Sequence, residues 1–239
     1  MRLHSVLGCA ILVGCVGCGG SHTTTDTPTT SPAEHADRSD PRGSNEDFSD
    51  ADAFARMFDD PERDAWQKPG EVIGRMELAS SMTAVDLGAG TGYFLRWLSE
   101  AVGPGGRVLG LDTEPNMVSH MQQRVERENL SNVEARSVRP DDPGLAPQSV
   151  DRVLVVNTWH HIRQRTAYAA RLRTALKPGG RIIIVDFTMS TDFGPPVEMR
   201  LAPTTVTGEL EEAGLVTSTL SETLPHQYIV QGSLPDDAQ

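Results

Sequence analysis

Ten residues, Val85-Asp86-Leu87-Gly88-Ala89-Gly90-Thr91-Gly92-Tyr93-Phe94, constrain the fold of this chain more than any others. A short apolar strand ends in an acid, three glycines follow at alternate positions, and an aromatic-apolar run opens a helix. Ala84, Val85 and Leu87 form a β-leaning run suited to burial. The glycines allow a sharp turn and let a ligand lie against bare backbone. Amide groups at the start of the next helix, expected over about 93–102, favour an anionic group such as a carboxylate or phosphate. A strand, a glycine turn and a helix in this order hold a nucleoside-type ligand at the carboxyl end of a strand in an open α/β sheet.

The spacing narrows the ligand. A dinucleotide fingerprint reads G-x-G-x-x-G, and Tyr93 occupies the place of its third glycine. Asp86 stands two residues before Gly88, where its charge repels a pyrophosphate but suits an ammonium or sulfonium group. This disfavours NAD. The plain alternative, a strand-to-helix turn that needs glycine for geometry alone, leaves the acid and the three-glycine spacing without a reason.

Asp86 to Gly92 resembles the first motif, acid-x-G-x-G-x-G, of the class I S-adenosylmethionine-dependent methyltransferases. Val108-Leu109-Gly110-Leu111-Asp112, Val150 to Asn157, and Leu176-Lys177-Pro178-Gly179-Gly180-Arg181 followed by Ile182 to Asp186 look like further strands of that family. The resemblance covers roughly residues 54 to 232. It implies a Rossmann-like, doubly wound α/β fold: a mostly parallel seven-stranded sheet with a terminal antiparallel strand pair. It also implies S-adenosyl-L-methionine as cofactor, held by Asp86, Gly88, Ala89, Gly90, Gly92, Asp112, Thr113, Asp142 and Asn157. Asp112, at a strand end, is placed to accept both ribose hydroxyl protons. Asp141 and Asp142 lie in the loop where the family contacts adenine, and Asp142 is the choice, although Asp-Asp-Pro is also ordinary turn chemistry. Asn157 lies where the methionine end faces the acceptor. Trp66 and Gln67 fall in a segment that precedes the first motif in some small bacterial members; a cap on the core is an equal reading of Trp66. Met199, Arg200 and Leu201 are expected to border the acceptor pocket.

Asn157-Thr158-Trp159-His160-His161 is the candidate catalytic stretch, with His160 and His161 as the catalytic residues. An imidazole with a pKa near 6.5 can take a proton from an attacking oxygen or nitrogen. Neighbouring histidines on a non-extended turn point apart, so at most one reaches the site. A purely structural histidine carries equal weight, because in-line methyl transfer can be achieved by positioning alone. Metal binding is not expected: the two histidines are too close in sequence to share a helix face as ligands, and no H-x-x-x-H spacing occurs.

The remaining punctuation reads as regular alternation. Strands are expected at 84–87, 107–111, near 132–136, 151–156 and 181–187. Helices are expected at 93–102, 115–128, 163–176 and 204–213, with a strand pair at 216–220 and 227–231. Phe54, Met57 and Phe58 suggest a short packing helix, and Val72 to Leu78 another. Such alternation argues for a parallel sheet with helices on both faces.

Charge and cysteines bear on partners and place. The net charge of −12 makes wrapping around nucleic acid unfavourable. The acid concentrates in residues 19–64, with twelve Asp/Glu against four Lys/Arg. All three cysteines, Cys9, Cys15 and Cys18, lie in the first 18 residues. Arg2 followed by the short apolar run Val6–Val13 fits a secretory signal rather than a membrane span. Leu12-Val13-Gly14-Cys15 resembles the bacterial lipoprotein box, with Cys18 as second choice. The expected organisation is a signal segment at 1–18, a polar, acidic linker at 19–49 and a catalytic domain at 50–235. The expected location is the cell envelope, through a lipid anchor, or the cytoplasm if the leader is not used. A small-molecule or protein methyl acceptor is the expected partner. An envelope location separates the protein from cytoplasmic cofactor, so a module that holds the cofactor without turnover is the competing reading.

Overall fold

The computed structural model describes residues 51–235. The expected signal segment and linker, with Cys15 and Cys18, lie outside the described residues. Seven strands form one sheet: β1 (Thr83–Leu87), β2 (Arg107–Asp112), β3 (Val133–Ser137), β4 (Val150–Val156), β5 (Leu176–Phe187), β6 (Val216–Leu220) and β7 (Gln227–Ser233). Their order is β3-β2-β1-β4-β5-β7-β6. The first five are parallel, and β7 runs antiparallel between β5 and β6. This is the mostly parallel sheet with a terminal antiparallel pair.

Alternation along the strands builds two cores. Val85, Leu87, Leu109, Val153, Val155 and Ile184 face one side, with Trp159, Leu172 and Leu210 packed over them. Ala84, Val108, Leu154, Ile183 and Val185 face the other, under Val72, Leu98 and Met121. Side chains two apart share a face, and each Val, Leu, Ile or Met fully buried among them contributes about 1.5–3 kcal/mol. A one-residue slip would exchange the faces of a whole strand. Both faces being covered explains why β1, β4 and β5 read as continuous apolar runs.

The helices are α1 (Ala51–Phe58), α2 (Arg63–Gln67), α3 (Pro69–Arg75), α4 (Leu95–Val102), α5 (Pro115–Arg127), α6 (Arg165–Ala175) and α7 (Pro203–Glu212). Proline at the first turn starts α3, α5 and α7, where its missing N–H costs nothing. Gly103, with φ +66°, closes α4. The glycine loop runs longer than the sequence suggested, so α4 begins at Leu95 rather than at residue 93.

Two further elements depart from the sequence reading. Lys177-Pro178-Gly179-Gly180 reads as a turn ending a helix at residue 176. Instead α6 stops at Ala175 and β5 begins at Leu176, which pairs with Val150 before a bulge restores register at Arg152–Arg181. Arg152 stabilises that bulge, donating from Nη1 to Gly179 O at 3.0 Å and from Nε to Met76 O at 2.6 Å. The five-residue helix α2 has no sequence signal of its own. It is bounded by Lys68 in the left-handed region and held by contacts across the fold.

Candidate active site

β1 continues to β2 and β3 on one side, and the chain then returns to β4 on the other. The sheet therefore has its topological switch point between β1 and β4, and ligands of open α/β sheets bind outside the carboxyl ends of such strands. The glycine loop leaves β1 at this point. Gly88 and Ala89 both donate their N–H to Leu111 O, at 2.8 and 3.0 Å, and Gly90 donates to Asp112 Oδ2 at 2.8 Å. These bonds tie the loop to the end of β2.

Two glycines are required by geometry. Gly88 has φ +69°, and a Cβ there would lie 2.2 Å from Thr158 Cγ2; Gly92 has φ +81°, and a Cβ there would lie 2.6 Å from Leu95 Cδ1. Both clashes are with the protein's own side chains, so the turn packs closely on Thr158 and Leu95 and its backbone is bare at these two positions.

Asp86, 2 % exposed, is the last residue but one of β1, just before this loop. Burial pushes its pKa up to about 7; Arg63 opposes the shift and Asp112 adds to it. Asp112 accepts the Glu114 N–H at 3.0 Å on its other oxygen. A carboxylate has about four acceptor positions, so the N–H bonds it accepts leave capacity for a hydroxyl donor. Burial raises the Asp112 pKa against the pull of the Glu114, Gly90 and Thr113 N–H groups.

Arg63, on α2, lies in the segment before the first motif and had no role of its own in the sequence reading. Its guanidinium carbon lies 3.9 Å from the Tyr93 ring centroid. Nη1 donates to Phe58 O at 2.8 Å and Nη2 to Gln67 Oε1 at 3.3 Å, both neutral acceptors. Nε is buried without a partner, and burial lowers the pKa of the group. A desolvated cation with an unspent donor is costly by itself. Beside a buried carboxylate it complements an α-amino carboxylate, with Asp86 for the ammonium and Arg63 for the carboxylate.

From Arg63 an amide relay crosses the site. Gln67 Nε2 donates to Gln227 Oε1 at 2.6 Å, and Gln227 Nε2 donates to Asn157 Oδ1 at 2.6 Å. Gln67 and Gln227 are fully buried. Asn157 sits just past β4 with φ +53°, a conformation asparagine tolerates better than most residues. The relay joins α2, β7 and the end of β4.

After Thr158 the chain makes a 3₁₀ turn, Trp159–His161. Trp159 is buried and donates Nε1–H to Glu209 Oε2 at 2.9 Å, while Arg165 Nε holds the other Glu209 oxygen at 2.8 Å. His160 is 5 % exposed, with Nδ1 at 2.9 Å from each carboxylate oxygen of Asp186. The His161 ring lies 4.1 Å from that of His160, and burial together with His160 lowers its pKa to about 3. His161 therefore stays neutral at physiological pH and is a poor proton acceptor.

Trp66 belongs to an aromatic group on the β5 side. It meets Phe193 edge-on at 4.9 Å and lies 6.3 Å from Phe187, while Phe193 stacks on His226 at 4.8 Å. Arg200 organises the loop that carries Phe193. Its guanidinium donates to Pro195 O at 2.7 Å, Thr188 O at 3.0 Å, Thr191 O at 2.5 Å and Phe193 O at 3.2 Å. Arg200 is thus a buried clamp on the loop backbone, with Met199 and Leu201 half-buried beside it. Thr113 is exposed. Asp142 Oδ1 accepts the Gly144 N–H at 2.9 Å, a turn bond.

Known proteins agree with this geometry. Residues 85–182 match the family model described as "Methyltransferase domain". They form a methyltransferase domain. A solved structure, a SAM-dependent methyltransferase from Aquifex aeolicus, is 28 % identical with a TM-score of 0.72, covering 75 % of this chain and 96 % of that one. The methyltransferase domain is therefore of the class I, S-adenosylmethionine-dependent kind, and its cofactor is S-adenosyl-L-methionine. The chain is 29 % identical over 139 residues to an arsenite methyltransferase of Halobacterium salinarum, covering 58 % of this chain and 35 % of that protein. It is 26 % identical over 147 residues to a demethylmenaquinone methyltransferase of Oceanobacillus iheyensis, covering 62 % and 61 %. The chain thus spans less than two thirds of the length of these two relatives.

The methyltransferase domain fits its cofactor on its own features: a glycine turn in left-handed backbone past β1, a buried acid for a cationic group, and an orphaned Arg63 Nε for a carboxylate. Sequence reasoning missed Arg63, Gln227 and Asp186. Only Asp186 had a signal, as an acid ending an apolar strand.

Proposed function

We propose that this chain transfers a methyl group from S-adenosyl-L-methionine to an organic acceptor, a small molecule or a protein side chain. The observation that carries the reading is the Gly88–Gly92 turn, preceded by Asp86 and flanked by Asp112 and Arg63. When bound, the cofactor supplies an electrophilic methyl group. The residues would divide the work as follows: the glycine backbone and Asp86 hold the amino-acid end, Asp112 the ribose, and Asn157 the side facing the acceptor. Trp66, Phe187 and Phe193 give the acceptor side an apolar, aromatic flank. A soft thiophilic centre calls for thiolate ligands, and every cysteine of the chain precedes residue 19. An organic acceptor suits this domain better than arsenite.

The same reading includes an anchor. A lipid on Cys15, or on Cys18, would hold the domain at the cell envelope by the acidic linker. Fractionation of the wild type and Cys15→Ala tests this: a wild type that is unlipidated and soluble in the cytoplasm contradicts it.

Transfer of radiolabelled methyl from S-adenosylmethionine into cell extracts tests the activity. Label should appear with the wild type and be absent with Gly90→Arg. Equal labelling by the two would contradict the proposal. Cofactor binding with no label in any fraction would favour a module that holds the cofactor without turnover.

A further inference from the structure

We infer that Asp186 is a positioning residue that sets His160 to accept a proton through Nε2, which fits the site to acceptors whose nucleophile is a protonated oxygen or nitrogen. The inference rests on the methyl-transfer reading and adds the substrate class to it.

The geometry is that of an oriented base. His160 Nδ1 lies 2.9 Å from both Asp186 oxygens, and the two side chains are 3 % and 1 % exposed. Asp186 Oδ1 also accepts the Phe187 N–H at 2.9 Å, which fixes the carboxylate against its own strand. An ionised carboxylate only accepts hydrogen bonds. The proton of a neutral His160 ring therefore belongs on Nδ1, and Nε2 carries the lone pair. A structural histidine needs no such burial of a carboxylate, whose desolvation is costly.

Position supports the role. His160 lies two residues past Thr158, whose side chain packs against Gly88, and Asp186 is the last residue but one of β5. The pair thus stands at the carboxyl ends of β4 and β5, next in the sheet to the end of β1 that carries the glycine loop. Other titratable groups do not compete. His161 is a poor base. Tyr228 of β7, near Asp186, has its pKa raised by burial and stays neutral. Glu209 of α7 is occupied by Trp159 and Arg165.

In the step, the acceptor oxygen or nitrogen forms a bond to the methyl carbon. The carbon–sulfur bond breaks with its electron pair left on sulfur, and the acceptor's proton passes to His160 Nε2. An acceptor that is already ionised, such as a thiolate, releases no proton and gains nothing from the pair.

Long-range ¹H–¹⁵N spectra of the histidine-labelled full chain at pH 7.5, with His160 assigned by His160→Gln, test the tautomer. The Nδ1–H form is expected, and Asp186→Asn should abolish it. Turnover is read with tritiated-methyl S-adenosylmethionine and a panel of phenols, alcohols, primary amines and thiols. Phenols, alcohols or amines should be labelled. His160→Gln and Asp186→Asn should lower kcat by about 10²–10⁴-fold, with cofactor affinity within about twofold of wild type. An Nε2–H tautomer in the wild type would overturn the inference, as would unchanged turnover in both variants or labelling of thiols alone. Failure of the wild type to bind S-adenosylmethionine would instead remove the underlying methyl-transfer reading.

Discussion

Gly88→Ala should damage both the fold and the cofactor site, by an amount the structure allows to be divided. The left-handed backbone at φ +69° costs a non-glycine residue about 1–2 kcal/mol. The new Cβ would lie 2.2, 2.4 and 2.8 Å from Thr158 Cγ2, Oγ1 and Cβ. Overpacking of this kind costs about 1–3 kcal/mol. The sum, about 2–5 kcal/mol, is a large share of the roughly 5–15 kcal/mol that holds a domain together. Near the midpoint it corresponds to a fall of about 4–20 °C in Tm. Thr158→Gly removes all three clashing atoms and leaves the φ penalty. The double variant should therefore recover about 1–3 kcal/mol relative to the sum of the singles. Urea unfolding of the four proteins measures this coupling, and calorimetry with S-adenosylmethionine measures the accompanying loss of affinity. Additive effects at the two sites, or an unchanged Tm for Gly88→Ala, would refute the close packing of Thr158 on the loop.

Three further outcomes follow from the site. Asp86 has a folded pKa raised to about 7 from 3.8, so the folded state holds its proton more tightly than the unfolded one. Stability of the cofactor-free protein should fall as pH rises from about 4 to 7 and level off above, by an order of 4 kcal/mol; Asp86→Asn should flatten that slope, and a flat wild-type profile would contradict it. Arg63→Leu should weaken S-adenosylmethionine more than tenfold and its decarboxylated analogue far less; equal losses by calorimetry would remove Arg63 from the carboxylate. Arg200→Met strips four carbonyls of their donor and should cost about 2–4 kcal/mol, with new protease cleavage within 188–200; resistance equal to wild type would show that the loop holds without its clamp.

The sheet was legible because its information is local. Apolar runs ending in Asp86, Asp112 and Asn157, glycine turns, and prolines at helix starts each act within a few residues. The start of β5 was not legible. Pro178-Gly179-Gly180 carries turn chemistry, and the pairing of Leu176 with Val150 is made by a strand 26 residues away in sequence. The site divided in the same way. The glycine loop and Asp112 stand in a motif with its own spacing. Arg63 matters because α2 folds over Tyr93, and Gln227 because β7 inserts beside β5; the segment around Trp66 and Gln67 was marked, but nothing in it distinguishes Arg63 from the charges beside it. The histidine pair shows the limit from the other side. The sequence offered two equivalent imidazoles, and packing distinguished them by giving His160 a carboxylate and His161 a desolvated place beside the His160 ring.

The central claim is that the Gly88–Gly92 loop holds S-adenosylmethionine through complementary charge at Asp86 and Arg63. Calorimetric titration of the purified chain with S-adenosylmethionine, its demethylated product and NAD, at pH 6 and pH 8, tests it most directly. Binding of the first two should be tighter at pH 8, where Asp86 is ionised, and absent in Gly90→Arg, with no heat from NAD. Binding of NAD alone, or S-adenosylmethionine affinity that survives both Gly90→Arg and Asp86→Ala, would contradict the account.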